Sequence, residues 1–407
     1  MRHVIIGVGA AGIEAAGTIR KLRPEDDIIM ISKDDAVHSR CMLHLYISGK
    51  RDEASLDFTP ENFFEVNRIQ WYGDTEVKSV DTCKKTVETT KESIGYDTLL
   101  IATGAVSVIP PVGALRTAPN VFGLRDLSDA RAIVEAAEES STVAIIGSGL
   151  VGLDAAYAML EKGKKVTVIE MASYILPLQL DVVSAKTYQE LFENSGAQFR
   201  LGISAKDTQC DDSGNVTHIV LETGEKIPCD MVIVAAGVRP AAAMLEGSGI
   251  EVDRSIKVGP DMKTSVDNVF AAGDVTGLSG IWPNAVKQGE VAGKNMCGER
   301  AEYYDTYAIK NTINFFGLQT LSVGKVIPEE GDETELFGGC GNYRKVILSG
   351  GKVKGVIIQG DISCSGFWQY LIKYGIDISG LDKSIWDISY ADFFGMDSKG
   401  EFIWSVA

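Results

Sequence analysis

The pattern of apolar residues predicts a short strand, a glycine-rich turn and a helix at the start of the chain. The strand contains Val4–Ile6, Gly7, Gly9 and Gly12 follow it, and an Ala-rich helix is expected over Ile13–Leu22. In such a turn the first glycine lets the chain bend, the second lets a pyrophosphate reach the backbone, and the third lets helix and strand pack closely. The helix N-terminus supplies N–H groups for the phosphates. This segment therefore predicts a dinucleotide-binding βαβ unit.

The same pattern returns within residues 142–170. Glycines again follow an apolar strand, a helix is predicted over Leu150–Lys162, and a strand over Val166–Ile169 ends in Glu170. A carboxylate at this position binds both ribose hydroxyls of NAD and repels a 2′-phosphate. This copy is therefore expected to bind NADH in preference to NADPH. Its predicted contacts are Gly147, Gly149, Leu150, Val151, Gly152 and Glu170.

The first copy departs from this fingerprint at the end of its second strand. Ser32 and Lys33 follow the predicted strand Ile28–Ile31, and the acidic residues come only afterwards, at Asp34 and Asp35. Because the carboxylate is displaced, the first copy does not match the pattern of a typical NAD site.

Spacing of apolar residues predicts the remaining elements. A small antiparallel insertion is expected at residues 71–89, and a separate α+β domain without a phosphate loop from about Tyr307. The predicted strands are Trp71–Val80, Thr86–Thr89, Val216–Leu221, Met231–Ala235, Thr312–Val326, Tyr343–Leu348 and Val353–Gln359, and the predicted helices are Phe122–Glu139, Asp181–Asn194, Ile281–Gly298 and Phe367–Gly375.

Composition narrows the classes of function. The 407 residues include 39 basic and 56 acidic side chains, for a net charge of −17, which argues against binding to nucleic acid or to anionic membranes. No apolar run approaches the roughly 20 residues of a membrane span. Because the first strand begins almost at the initiator Met, no signal peptide is expected. The seven cysteines include no C-x-x-C pair, so neither a disulfide framework nor a metal site is predicted. A cytoplasmic protein fits these features.

Cys41 is the cysteine with the most informative neighbours, since His38 and His44 lie three residues to either side of it. If the segment is helical, all three side chains share one face. Cys41 then has three interpretations: a small buried apolar residue, a ligand in a metal site that lacks a fourth partner, or a redox thiol at a helix start, where the dipole lowers its pKa.

Five motifs in order resemble those of the pyridine nucleotide–disulfide oxidoreductase superfamily: GVGAAG, YDTLLIATG, GSGLVG followed by Glu170, AAGVRP and FAAGD. The resemblance implies an α/β fold with two nested Rossmann-like dinucleotide-binding domains, similar to glutathione reductase, plus a C-terminal α+β domain. It implies an FAD-binding domain over residues 1–110 and 238–305, an NAD(H)-binding domain over 111–237, and a C-terminal dimerisation or interface domain over 306–407.

The resemblance also implies where FAD lies. Asp274 is expected to bond the ribitol or phosphate side, Thr103 and Gly104 to lie against the cofactor, and Arg40 to lie near the flavin. The N–H of Ala285 is expected to face the pyrimidine edge of the flavin. The remaining implied contacts are Gly7, Gly9, Ala10, Ala11, Gly12, Ser32, Lys33, Val77, Ala102, Gly237 and Gly273.

The electron acceptor stays open between two hypotheses. Cys41 matches the single redox cysteine of NADH oxidases, NADH peroxidases and coenzyme A-disulfide reductases, which implies a disulfide, polysulfide, peroxide or oxygen acceptor with His38 or His44 as proton donor. Ala10, where the oxidases have His, and the SRxML context resemble rubredoxin reductases and nitrite-reductase flavin modules instead. That implies electron transfer to a small redox protein without a redox cysteine. A third hypothesis is a non-enzymatic NADH-binding sensor. A homodimer is expected in each case.

Overall fold

The computed structural model describes residues 1–305, 310–339 and 341–404, so Tyr307 and Cys340 lie outside the described residues. The strands β1 to β25 are, in chain order, Arg2–Ile6, Asp27–Ile31, Ile69–Tyr72, Val77–Asp81, Thr86–Thr89, Ser93–Gly95, Thr98–Ile101, Ala105–Ser107, Val121–Gly123, Thr142–Ile146, Lys165–Glu170, Gln198–Leu201, Ala205–Cys210, Val216–Leu221, Lys226–Pro228, Met231–Val234, Val238–Pro240, Val269–Ala271, Lys310–Phe315, Leu318–Gly324, Glu333–Gly339, Asn342–Ser349, Lys352–Gln359, Phe394–Met396 and Phe402–Trp404. The helices α1 to α8 are Ala10–Leu22, Leu43–Ile47, Phe63–Val66, Leu127–Glu139, Leu150–Glu161, Val182–Asn194, Trp282–Met296 and Ser365–Tyr374.

The first sheet holds five parallel strands in the order β18-β7-β1-β2-β3. Its central strands are continuous apolar runs, and Leu99, Leu100 and Ile101 of β7 are fully buried, as expected for a parallel sheet covered on both faces. The strand order reverses at β1, whose neighbours are β2 on one side and β7 on the other. Ligands bind outside the carboxyl ends of the strands at such a switch point.

The second sheet repeats this arrangement in the order β12-β11-β10-β16-β9, again with every pair parallel. Its switch point lies at β10, directly before the second glycine-rich turn. The fold therefore contains two Rossmann-like units, and the predicted α/β class with two nested dinucleotide-binding domains is confirmed.

Three predicted elements differ from the structure. The single strand predicted over Thr312–Val326 is a hairpin of β19 and β20, which turns at Phe316 and Gly317. Residues 69–72 form an edge strand of the first parallel sheet instead of joining the antiparallel insertion, which contains only β4, β5 and β6. The stretch Phe122–Glu139 is not one helix, because Val121–Gly123 pairs with β16 and the helix begins at Leu127. Asp126 caps that helix and accepts a hydrogen bond from the N–H of Asp129, so the side chain stops the helix from extending backwards.

The chain divides into two compact units, Met1–Ser173 with Gly196–Tyr304, and Tyr174–Ser195 with Asp305–Ala407. The first holds both parallel sheets. In the second, helix α6 packs on the antiparallel sheet β19-β20-β23-β22-β21, where the hydroxyl of Tyr188 donates to the carbonyl of Leu318 at 2.8 Å. The predicted domain bounds at residues 110, 237 and 305 stay predictions.

Aromatic side chains that follow α8 in the sequence pack on this helix of the second unit. They are Trp386, Tyr390 and Phe393. Phe393 is buried, and Tyr390 lies edge-on to Phe367 with ring centroids 5.2 Å apart. Trp386 lies tilted against Trp368, with ring centroids 6.3 Å apart. These contacts give the side chains of Trp386, Tyr390 and Phe393 a packing role.

Candidate functional site

The first glycine-rich turn forms a cradle at the carboxyl end of β1. A Cβ on Gly12 would stand 2.0 Å from the carbonyl oxygen of Gly7, so only glycine lets α1 approach the turn. At Gly9, by contrast, no described atom lies within 4 Å of a Cβ. Gly9 precedes the first turn of α1, whose N–H groups are directed toward that open space. The residues present therefore fit the pyrophosphate of a dinucleotide.

A cavity of about 460 Å³ continues from this cradle. It brings together predicted contacts from five separate segments of the chain. The predicted contacts that line it are Gly7, Gly9, Ser32, Lys33, Arg40, Val77, Ala102 and Thr103. Asp34, Lys78 and Arg239 also line it, although the sequence did not single them out as contacts. Asp34 and Lys78 follow predicted contacts directly in the chain, and Arg239 belongs to the AAGVRP motif, so their neighbours were the signal that could have found them.

Lys33 is held in place by an ion pair with Asp126. Burial by itself would raise the pKa of the Asp126 carboxyl, but hydrogen bonds from Lys33 and Ser128 lower it to about 2. Near the end of its second strand, where a typical NAD site has an acidic residue, the first copy thus has Lys33. The ammonium group of Lys33 binds Asp126, the N-cap residue of α4. Ser32 donates to the backbone carbonyl of Asp34 at 2.8 Å, which turns the chain away from the end of β2.

Two arginines contact residues 104 and 105, shortly after β7. The guanidinium of Arg40 covers Gly104, where a Cβ would stand 2.6 Å from its Nη1. Arg125 forms an ion pair with Asp274 and also donates to the carbonyl of Ala105 at 3.1 Å. Arg125 was missed at the sequence level, because its position next to Asp274 depends on a contact between residues 149 positions apart.

Predicted contacts near α7 meet the helix α1. A Cβ on Gly273 would stand 3.4 Å from the Cβ of Ala11 and 3.8 Å from that of Ala285. The N–H of Ala285, however, donates to the carbonyl of Ile281 at 3.2 Å. The expectation that this N–H faces the flavin is therefore wrong, because the group is used within the first turn of α7. Gly237 does not line the cavity, and its carbonyl accepts from the N–H of Val108 at 3.0 Å.

The second glycine-rich turn reproduces the first cradle. A Cβ on Gly152 would stand 2.0 Å from the carbonyl oxygen of Gly147, while the described atoms leave the space around Gly149 open to 4 Å. Leu150 and Val151 form the first turn of α5. The Glu170 carboxylate accepts from the N–H and the hydroxyl of Ser148, both at 2.8 Å. The Glu170 carboxylate thus binds the second glycine-rich turn through Ser148.

Cys41, His38 and His44 do not share a helix face. Cys41 lies in a 3-10 turn over Arg40–Met42, His44 lies in α2, and His38 precedes both. His38 is buried, and its Nδ1 lies 3.2 Å from the carbonyl of Ala36.

The thiol of Cys41 retains an exposed surface, yet the protein atoms around it and the Asp154 carboxylate raise its pKa. The expectation of a pKa lowered by a helix dipole is therefore wrong.

Asp154 is the second residue that sequence reasoning missed. It lies on α5, one turn after the second glycine cradle, and its Oδ1 is 3.7 Å from Nδ1 of His44. The surrounding protein atoms desolvate the Asp154 carboxyl and raise its pKa to about 7, although 29% of the side chain stays exposed. Burial, with Lys50 and Arg51 nearby, lowers the pKa of His44 to about 4. The contact brings an element of each Rossmann-like unit to the neighbourhood of Cys41.

Two further properties concern the described residues only. Within 1–305, 310–339 and 341–404, no group of three His, Cys, Asp or Glu side chains is placed to hold a metal ion. In the same part of the chain, each helix is too short or too polar to cross a bilayer.

Comparison with known proteins gives a family and several relatives. The family described as pyridine nucleotide-disulphide oxidoreductase matches residues 1–289. The chain is 30% identical over 390 residues to nitrite reductase [NAD(P)H] of Bacillus subtilis (strain 168), covering 93% of this chain and 48% of the relative. It thus spans about half the length of that relative.

Two other matches cover most of both chains. The NADH-dependent phenylglyoxylate dehydrogenase subunit epsilon of Aromatoleum evansii is 30% identical over 395 residues, which is 93% of each chain. Among solved structures, an NAD-dependent persulfide reductase from A. fulgidus matches with a TM-score of 0.83 and 26% identity, over 94% of this chain and 79% of that one.

Proposed function

The chain belongs to the pyridine nucleotide-disulphide oxidoreductase family, whose members use FAD and NADH, and we propose that it is an FAD-dependent NADH oxidoreductase. The observation that carries this proposal is the pair of matching cradles. In each, one glycine packs against the turn and another leaves open space before a helix N-terminus. Among the described residues, an acidic residue, Glu170, binds the glycine-rich turn only in the second cradle. We therefore assign NADH to residues 147–170 and FAD to the cavity beside residues 7–12.

FAD, when bound, supplies a carrier that accepts a hydride from NADH and passes its electrons on. The residues of this chain position the two cofactors and exclude water. Gly7 and Gly9 would hold the pyrophosphate, Gly12 lets α1 approach the turn, and Arg40 would offset the negative charge from the lining of the cavity. Asp274 holds Arg125 by an ion pair. Glu170 holds the ribose of NADH. These assignments rest on the lining of the cavity and on the hydrogen bonds described above.

For the acceptor, we propose a disulfide, polysulfide or persulfide that reacts at Cys41. Cys41 lies directly after Arg40, which lines the FAD cavity, and its thiol is exposed. The persulfide reductase of A. fulgidus supports this choice of acceptor class.

A specific observation favours a second acceptor. Because the pKa of the Cys41 thiol is raised, the thiol is protonated at neutral pH and a poorer nucleophile than a thiolate. Electrons would then leave to a small redox protein or to a partner subunit. The match to a dehydrogenase subunit over 93% of each chain supports this alternative.

Anaerobic titration with NADH tests the proposal. We expect NADH to bleach the flavin absorbance, and a redox-active Cys41 to give a long-wavelength charge-transfer band that Cys41→Ser abolishes. Complete bleaching by one equivalent of NADH without such a band, together with unchanged turnover of Cys41→Ser, would support the redox-protein acceptor. If NADH does not bleach the flavin, the enzymatic proposal is refuted and the NADH-binding sensor remains.

The proposal also covers the domain boundaries, the location and the partners of the protein. We infer an FAD-binding domain at 1–110 and 238–305, an NAD(H)-binding domain at 111–237, and a C-terminal interface domain at 306–407. We further propose a cytoplasmic homodimer that binds neither nucleic acid nor membranes, consistent with the net charge of −17.

A further inference from the structure

The contact between α2 and α5 presents a row of polar pairs. On α5, Asp154, Tyr157 and Glu161 are spaced three and four residues apart and therefore share one face. Asp154 lies 3.7 Å from His44 of α2, and Lys50, just after α2, forms an ion pair with Glu161 at 2.7 Å. Glu161 thus has a cation as its partner, whereas Asp154 faces an imidazole three residues after Cys41.

We propose that Asp154 is a positioning residue that holds an exchangeable proton at His44, beside Cys41, for the step in which electrons leave the site. This inference rests on the proposed function with a disulfide, polysulfide or persulfide acceptor. It extends that function to Asp154 of α5, the helix that follows the proposed NADH cradle.

The chemistry of the acceptor requires such a proton. NADH delivers two electrons and one proton as a hydride, and cleavage of one S–S bond gives two sulfur groups that each take up a proton. One proton comes from the hydride, and the other must come from water. The balanced reaction is NADH + H⁺ + R–S–S–R′ → NAD⁺ + R–SH + R′–SH.

The contact between Asp154 and His44, at 3.7 Å, supplies the first part of a route for that second proton. The Asp154 side chain is 29% exposed, so water can reprotonate it, while that of His44 is 20% exposed. In the proposed step the carboxyl proton moves to Nδ1 of His44 and the proton on Nε2 moves to the departing sulfur. Contacts of this kind commonly shorten when substrate binds. Because the pKa of His44 is lowered to about 4, the imidazole stays neutral and relays the proton without storing charge.

The charged groups around the pair agree with this role. Cys41, Lys50 and Arg51 lie on the α2 side, and Tyr157 and Glu161 on α5. Lys50 and Arg51 oppose a positive charge on His44. The Asp154 carboxyl, with a pKa of about 7, is protonated below neutral pH and is a donor there. The rate of acceptor reduction is therefore expected to fall as the pH rises through about 7.

The test compares Asp154→Asn with Glu161→Gln in the holoenzyme. Both variants replace a carboxylate by an amide on the same face of α5, but only the first removes the proposed donor. Carbon-13 NMR of aspartate-labelled protein is expected to show one carboxyl with a midpoint near 7 in the wild type and in Glu161→Gln, and none in Asp154→Asn. This readout does not depend on turnover.

The second readout is NADH-driven reduction of inorganic polysulfide between pH 5.5 and 8.5. Asp154→Asn is expected to lower kcat about a hundredfold, to remove the inflection near pH 7, and to leave KM for NADH unchanged. Glu161→Gln should behave as the wild type. An Asp154 midpoint below 5, or an unchanged pH profile in Asp154→Asn, overturns the inference alone. A wild-type protein that NADH bleaches but that does not reduce polysulfide overturns the acceptor and the inference together.

Discussion

Replacing Gly9 with alanine is expected to separate cofactor binding from folding. Gly9 has φ −79° and ψ −174°, an extended conformation that alanine adopts without strain. No described atom lies within 4 Å of the added methyl group, so this group meets the ligand and not the protein. Gly12→Ala is expected to disturb the fold instead, because its methyl group would stand 2.0 Å from the carbonyl oxygen of Gly7.

The magnitudes follow from these contacts. At the N-cap of α1 alanine is less favourable than glycine, which costs about 1 kcal/mol of stability. If the methyl group displaces the pyrophosphate from one or two N–H groups, each lost charge-assisted hydrogen bond costs about 1.5–3 kcal/mol. A loss of about 3 kcal/mol raises Kd for FAD roughly 100-fold. Gly12→Ala forces α1 away from the turn and is expected to cost about 3 kcal/mol or more in the free energy of unfolding.

The assay measures FAD binding to the apoprotein by quenching of flavin fluorescence, and stability by urea unfolding. Gly149→Ala is the matched control, since Gly149 has φ −68° and ψ −178° and equally open space in the second cradle. Gly9→Ala should lose FAD affinity, and Gly149→Ala should keep FAD but lose NADH affinity. Unchanged FAD affinity in Gly9→Ala, or equal loss of FAD in both variants, would refute the assignment of FAD to the first cradle.

Two further predictions concern charged residues. Glu170→Ala should lower the ratio of kcat/KM for NADH to that for NADPH, because the carboxylate that repels a 2′-phosphate is gone, and an unchanged ratio in paired assays would contradict the assignment of the second cradle. The pKa of Asp126 is lowered to about 2 from an ordinary value near 4, so its ion pair with Lys33 stabilises the fold above pH 4 and is lost as the pH falls from about 4 to about 2. Asp126→Asn, which keeps the helix cap, should flatten the acid side of the plot of unfolding free energy against pH; an equally steep decline would show that this carboxyl does not contribute.

The sequence by itself was enough to predict both glycine cradles and the two Rossmann-like units. These features depend on local conditions, since a strand that ends in a tight turn before a helix needs glycine at fixed positions. The spacing of Gly147, Gly152 and Glu170 is likewise a property of one βαβ unit. The helix predicted over Asp181–Asn194 begins one residue later, at Val182, because Asp181 is its N-cap residue.

Only the tertiary structure decided which distant residues meet. Ile69–Tyr72 became a parallel edge strand because β2 offered an unpaired side, which no local pattern reveals. The same holds for Arg125 beside Asp274 and for Asp154 beside His44, where the partners are more than 100 residues apart. The pKa of Cys41 followed its surroundings and not its place near a helix start, because desolvation by the protein atoms around the exposed thiol and the charge of the Asp154 carboxylate act through space. The local sequence thus determined where the dinucleotides are expected to bind, and contacts between distant segments within the first compact unit decided which groups surround the thiol.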